Sequence, residues 1–337
     1  MYIYDAVTYL IISLLRLDNT KYLKRILNDL SKRTGKNKIS LIFDMISALL
    51  KYGAIFNDYY NLNFVNKTPE IRDTYVTYYF NDKLFRKLNP YKYRFYFRDK
   101  VEFNKTFSKY IKREWLDLNE ANFEEFSKFV EDKEKIIAKI TKGHSGIGVK
   151  IFRKSDYSSM EDLYKELIEG NFGIVEEVLK NHQTLEKLNE SSLNTIRLVS
   201  ILNQNEIDII YAGLRIGAKG SDVDNISDGG AVVPIDIESG YLVGSLKTKP
   251  IRRKDNVVFN LDVNDIQIPY WNEVKKMVAE ASLVIPQVRY LAWDIAVTPN
   301  GPAIIEANET SGCAITQIHL RDDEPGLKIK LLKYLDN

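Results

Sequence analysis

The sequence predicts an α+β protein led by a mainly helical lobe, on three observations. Apolar residues recur at helical spacing up to about residue 95 of the 337. Beyond that point short β-rich apolar runs alternate with helical stretches, an arrangement in which many of the strands pair antiparallel. The last two such runs are joined by Thr298-Pro299-Asn300-Gly301, strong turn chemistry for a hairpin.

Taken in order, Tyr9, Leu10, Ser13, Leu14 and Leu17 follow a 3.6-residue period, as do Tyr22, Leu23, Ile26, Leu27 and Leu30. Ile42, Met45, Ile46, Leu49 and Leu50 form a third face, and Lys51-Tyr52-Gly53 supplies a basic last turn and a glycine stop. The spacing predicts further helices over Lys100–Ile111, Asn122–Glu131, Met160–Ile168 and Asn272–Leu283. Strands are expected at Lys135–Ile140, Val149–Phe152, Gly173–Val178, Thr195–Leu202, Ile207–Ile216, Gly230–Ile237, Tyr290–Val297 and Pro302–Ala307. The expected division is a helical lobe over residues 1–94 and an α+β domain over 95–337, with no long linker, repeat or low-complexity segment between them.

Composition narrows the function classes. With 45% hydrophobic and 28% charged residues, wholesale disorder is excluded. A lone cysteine, Cys313, permits neither an intramolecular disulfide nor a multi-cysteine metal site, which suits a reducing cytoplasm. The apolar run Ala6–Leu17 follows Asp5, lacks a basic leader, and is shorter than the ~20 residues a bilayer span takes. It reads as a buried first helix, so no transmembrane segment and a cytoplasmic location are expected. Residues 1–115 hold 22 Lys/Arg against 11 Asp/Glu, a basic lobe able to face an acidic partner. Tyr91–Arg98 interleaves cations with aromatics, as base-stacking surfaces do. No nucleic-acid motif accompanies it, so the expectation is a half-buried extended segment and no nucleic-acid partner.

Three motifs carry chemistry. The first, Lys139 to Lys150, reads as strand, glycine-bearing loop, strand. Gly143, Gly146 and Gly148 let backbone N–H groups approach phosphate oxygens, and Lys139 and Lys142 add charge beside them. A hairpin connection with solvated lysines is the alternative, and the P-loop pattern is absent. In the second, folding the final hairpin about residue 300 sets Asp294 opposite Glu306, with Asn308 on the same face as Glu306. Two carboxylates and an amide oxygen suit a hard cation such as Mg²⁺, and a solvated polar face is the alternative. Third, Arg197 and Arg215 each lie inside an apolar strand, where a planar cationic fork calls for phosphate, carboxylate or an internal partner such as Glu206 or Asp208. The polar loop Asp224-Asn225, closed by Gly229-Gly230, could line a substrate mouth.

As an ordered set these residues resemble the ATP-grasp superfamily, in particular its sugar-transfer-associated branch. The set runs Arg98-Asp99-Lys100; Lys139 with the Gly143–Gly148 loop; Val175 to Leu179; Asn194 to Arg197; Asp224-Asn225 with Gly229-Gly230; Ile268 to Trp271; and Trp293-Asp294 with Glu306-Ala307-Asn308. The resemblance spans about residues 95–320 and implies two α+β lobes clasping ATP, with a small lobe over 135–180 and a large lobe over 190–320. The helical leader differs from the α/β pre-domain of other ATP-grasp ligases. By that resemblance Lys100 and Lys139 contact the ATP phosphates under a flap containing Gly143, Ser145, Gly146 and Gly148, with Lys142 beside it as a further nucleotide-binding candidate. Glu176, Glu177, Val178 and Leu179 form the adenine-reading hinge. Asp294, Glu306 and Asn308 hold Mg²⁺, Arg197 and Arg215 stabilise the transferring phosphoryl group, and Asp224, Asn225, Gly229 and Gly230 line the substrate pocket. Ile140 replaces a proline common in relatives, and no ribose-binding acid is evident near His182-Gln183. The implied activity is a ligase that joins a small-molecule or glycan-linked carboxylate to an amine through an acyl phosphate during surface-polysaccharide assembly. A kinase of the same fold, or a non-catalytic scaffold for glycosyltransferases, are the alternatives.

Overall fold

The computed structural model describes residues 20–142, 148–218, 220, 229–248, 261–310 and 312–336. The expected helix over Tyr9–Leu17 lies outside them. Among the described residues, no helix is long and apolar enough to cross a membrane. The chain divides into two units: one gathers described residues up to Leu88 with 244–248 and those from Thr310 onward, the other Asn89–Val243 with 261–309.

The first unit is helical. Helix Thr20–Thr34 buries Ile26, Leu27 and Leu30, as its period requires. Helix Lys38–Tyr52 begins at Asn37, whose side chain accepts from the Ser40 N–H at 2.7 Å, and ends at Gly53 in the left-handed region with φ 66°. A Cβ at Gly53 would also run into the Tyr79 side chain, so the stop is steric as well as conformational. The face this helix buries differs from the one expected. Leu41, Met45, Ala48 and Leu49 are inside, whereas Ile42 and Leu50 are exposed. The segment is apolar on several sides, so its period locates a helix without choosing which stripe packs.

Their core continues through Phe56, Tyr59, Phe64 and Tyr75. At its edge Asp44 accepts both terminal nitrogens of Arg72 at 2.7 and 2.9 Å, and Tyr59 donates to it at 2.5 Å. Gln317, 1% exposed, stitches the C-terminal segment in: its Oε1 accepts from the N–H groups of Val76 and Leu327, both at 3.0 Å, and its Nε2 donates to the Val76 carbonyl. Helix Lys328–Asp336 then packs on helix Tyr78–Leu88.

The second unit holds two antiparallel sheets. One has the order β1-β4-β2-β3, from β1 (Trp115–Asp117), β2 (Lys135–Lys139), β3 (Val149–Arg153) and β4 (Ile174–Glu177). Helices Phe123–Val130 and Met160–Glu169 cover it through Phe126, Val130, Leu163 and Leu167. The other has the order β7-β6-β5-β8-β9, from β5 (Thr195–Asn203), β6 (Glu206–Ile216), β7 (Ala231–Pro234), β8 (Tyr290–Thr298) and β9 (Gly301–Asn308). One of its faces is packed by apolar groups, among them Trp293, fully buried, whose indole donates to Ser200 at 3.0 Å and meets Phe107 edge-on at 5.9 Å. By the two-residue period, Asp294 then faces the other side.

Two expectations need correction. Tyr91–Arg98 is not extended: Tyr91–Tyr93 is a 3₁₀ turn and Phe95–Arg98 a short helix. The alternation of cations and aromatics mimics a strand, but this stretch has no strand partner. Arg94 instead folds back to donate to the Asn89 carbonyl at 2.7 Å, while the Asn89 amide is spent on the carbonyls of Tyr290 and Glu309. Lys100–Ile111 is broken at Phe107 into Lys100–Thr106 and Ser108–Ile111, and Phe107 is fully buried against Trp293.

Asp44→Asn removes the charge from a hydrogen-bonded ion pair, an interaction worth about 1–3 kcal/mol. Thermal melting should therefore show a Tm several degrees lower, whereas Asp82→Asn, at the exposed Arg86–Asp82 pair, should leave it within about a degree.

Candidate active site

The site begins with strand register. Across β5, β8 and β9, Arg197 pairs with Asp294 and Asp294 with Glu306, so the three side chains form one row on one sheet face. Thr195 lies two residues along β5 on that face and pairs with Arg215 of β6. Arg197 approaches Asp294 at 3.1 Å and Arg215 approaches its other oxygen at 3.3 Å; Arg215 also donates to the Thr195 hydroxyl at 2.6 and 3.0 Å. Asp294 is 2% exposed, so its charge is tolerated because two guanidinium groups neutralise it. Its neighbours along that face of β8 are Ala292 and Ala296, side chains small enough to leave room above the row.

The register that sets Asp294 opposite Glu306 depends on a β-bulge. From the turn outward Thr298 pairs with Gly301, Ala296 with Ala303 and Ile295 with Ile304; then Asp294 pairs with Glu306, leaving Ile305 as the extra residue. The hairpin turns about Pro299-Asn300, half a residue before the pivot assumed from sequence. Without the bulge Asp294 would face Ile305.

Asn308 donates to Glu306 at 3.3 Å. Burial pushes the Glu306 carboxyl up, but the charges of Lys139, Arg197 and Arg215 together outweigh it and hold it below the usual range. Among the described residues no cluster contains three or more His, Cys, Asp or Glu placed to hold a metal. Two carboxylates and an amide oxygen are instead the sparse set suited to Mg²⁺, which takes one or two carboxylates and completes its shell with water and phosphate.

The other sheet brings the lysines. Lys139 ends β2 and its ammonium donates to Glu176 of β4. Glu176, 1% exposed, also accepts from Arg113 and from Asn104, both at 2.9 Å. Burial alone would raise its carboxyl; Arg113 and Lys139 reverse that and hold it well below the ordinary range. Lys100 opens its helix directly after Asp99, whose side chain caps Val101 and Glu102 at 3.0 and 3.2 Å, and its backbone N–H donates to the Thr141 carbonyl at 3.1 Å. Burial lowers the Lys100 ammonium, with Glu306 pulling it up and Lys139 pushing it further down. These interactions bring Lys100, Lys139, Arg197, Arg215, Asp294, Glu306 and Asn308 together.

Other expected residues fall elsewhere. Glu177 accepts from the Glu114 N–H at 3.2 Å, Lys142 is exposed, and Val178 and Leu179 are half-buried in the segment leaving β4. That segment is tied to β8 where His182 donates its N–H to the Val297 carbonyl at 2.7 Å. Gly148, at φ 74°, has Ile140 packed where a side chain would lie. Gly229 and Gly230 precede β7. Gly143, Ser145, Gly146, Asp224 and Asn225 lie outside the described residues. Sequence reading missed Arg113 and Asn104, and it gave Thr195 no role of its own. Nothing in Ile111-Lys112-Arg113-Glu114 distinguishes the buried arginine from the lysine beside it.

A family model described as sugar-transfer associated ATP-grasp matches residues 79–331, about three quarters of the chain. This protein belongs to that family. ATP with Mg²⁺ is the ligand pair of such a domain. No curated protein matches the sequence. Similar solved structures include the ATP-grasp ligase PsnB complexed with minimal precursor, Mg and ADP, at TM-score 0.45 and 12% identity over 74% of this chain and 61% of that one. D-alanyl-alanine synthetase A from Vibrio cholerae O1 biovar eltor matches at TM-score 0.44 and 14% identity, over 72% and 65% of the two chains. N5-carboxyaminoimidazole ribonucleotide synthetase from Thermotoga maritima matches at TM-score 0.38 and 12% identity, over 65% and 43%. The chain thus spans about three fifths of the length of the PsnB structures.

Glu176→Gln strands two buried cations, and removing one partner from such a cluster costs about 3–5 kcal/mol. A calorimetric melt at neutral pH should show a Tm lower by roughly 10 °C. Because the folded carboxyl is depressed, its contribution is complete above about pH 4.3 and disappears as pH falls through the lowered value. The wild-type Tm should therefore fall more steeply in acid than that of the Gln variant.

Proposed function

We propose that this protein is an ATP- and Mg²⁺-dependent carboxylate–amine ligase acting through an acyl phosphate, with a sugar acid or amino acid of surface-polysaccharide assembly as its carboxylate. The observation that carries this reading is the charged row Arg197–Asp294–Glu306 with Arg215 at its end and Lys139 and Lys100 nearby. Five cationic groups, Arg113 included, meet three carboxylates there, and the surplus positive charge suits a nucleotide polyphosphate. The sugar-transfer description of the family supports the substrate class.

Asp294, Glu306 and Asn308 would hold the metal, which would supply charge neutralisation between phosphate oxygens. The chain's own groups do the rest. Lys100 and Lys139 bind and orient the phosphates. Arg197 and Arg215 screen the repulsion between an attacking carboxylate and the γ-phosphoryl group. The carboxylate oxygen forms a bond to phosphorus as the bond to ADP breaks. The amine then attacks the acyl carbon, phosphate leaves, and the amine proton passes to solvent.

Mg-ATP at 100 times its dissociation constant should stabilise the protein by about 2.7 kcal/mol, a visible rise in Tm, and Asp294→Asn with Glu306→Gln should remove most of it. No shift at millimolar Mg-ATP would rule out the nucleotide site. Arg197→Ala should slow ADP release from ATP by ~100-fold or more once an acceptor is found. Hydroxylamine should trap the activated acyl group as a hydroxamate; a stable phosphorylated product and no hydroxamate would make the protein a kinase.

A further inference from the structure

Arg113 belongs to none of the motifs above, yet it touches the supports of both halves of the site. It sits between helix Ser108–Ile111 and β1, and its side chain is 2% exposed. One terminal nitrogen donates to the Ile304 carbonyl at 2.7 Å. The other donates to the Ile305 carbonyl at 3.1 Å and to Glu176 at 2.9 Å, with Asn104 Oδ1 at 3.3 Å. Ile304 and Ile305 are the residues at the bulge, on the edge strand of their sheet, where the ladder supplies fewer donors than elsewhere. The second oxygen of Glu176 holds Lys139.

We propose that Arg113 is a positioning residue that fixes the metal-ligand register and the phosphate lysine with one guanidinium group: it holds the β9 bulge that sets Glu306 opposite Asp294, and through Glu176 it aims Lys139. The inference rests on the nucleotide reading of the site and extends it to how the two sheets are kept in alignment. Only the arginine fork can serve these acceptors together. A lysine in its place offers a single point charge, able to reach Glu176 or the two carbonyls but not all three. Retaining a buried arginine here is costly in desolvation, and what it secures is the geometry of a site assembled from two sheets.

The test uses the full chain with Arg113→Lys. Hydrogen exchange on the nucleotide-free protein should show faster exchange in peptides covering β9, with the helical unit unchanged. Calorimetry with ADP should show a modest loss of metal-free affinity, from the loosened Lys139, while the gain in affinity that Mg²⁺ confers falls by a further ~10-fold, the scale of outer-shell effects on metal binding. Should Arg113→Lys fail to fold, Arg113→Gln leaves a neutral Glu176–Lys139 pair and carries the same expectations. Wild-type exchange in β9, or an equal loss of ADP affinity with and without Mg²⁺, would overturn the proposal. If the wild-type protein itself binds no ADP, the nucleotide reading fails, and the exchange experiment still decides whether Arg113 holds the bulge.

Discussion

A carboxylate at the centre of a β-sheet face must be neutralised, and Asp294 is neutralised twice, by Arg197 from the neighbouring strand and Arg215 from the strand beyond. Much of the second unit serves that arrangement. Thr195 holds Arg215 in place, the bulge at Ile305 brings Glu306 alongside, and Trp293 and Phe107 fill the opposite face so that β8 cannot roll.

Such a cluster is a poor way to stabilise a fold. Replacing buried ions with apolar groups of similar volume is often neutral or favourable, so this concentration of charge is better understood as preorganised for a ligand. On the proposed nucleotide reading, side chains already held at fixed distances leave less reorganisation for binding. Glu176 serves the same end indirectly. Buried and held ionised by Arg113 and Lys139, it keeps a lysine pointing where its charge is felt by Glu306.

The helical unit obeys different physics. Its interior is aromatic and aliphatic, and its polar contacts, Asp44 with Arg72 and Gln317 with Val76, close loops and join segments far apart in sequence. Residues 1–115, which include this unit's first segment, hold 22 Lys/Arg against 11 Asp/Glu.

Much of this was legible in the chain itself. Strand and helix positions follow from periodicity, because burial of one face imposes a repeat of two or 3.6 residues on the sequence. The Pro-Asn turn sets the last hairpin, but Asp294 meets Glu306 only through the bulge at Ile305, which the turn by itself does not supply. Tertiary structure alone decided which stripe of Lys38–Tyr52 is buried, that Tyr91–Arg98 coils rather than extends, and that Arg113 reaches β9 and Glu176. The reason is common to all three. A local pattern records how a segment meets a generic interior, whereas the choice among its faces, and the partner of a lone buried arginine, depends on groups many residues away that leave no periodic trace beside it.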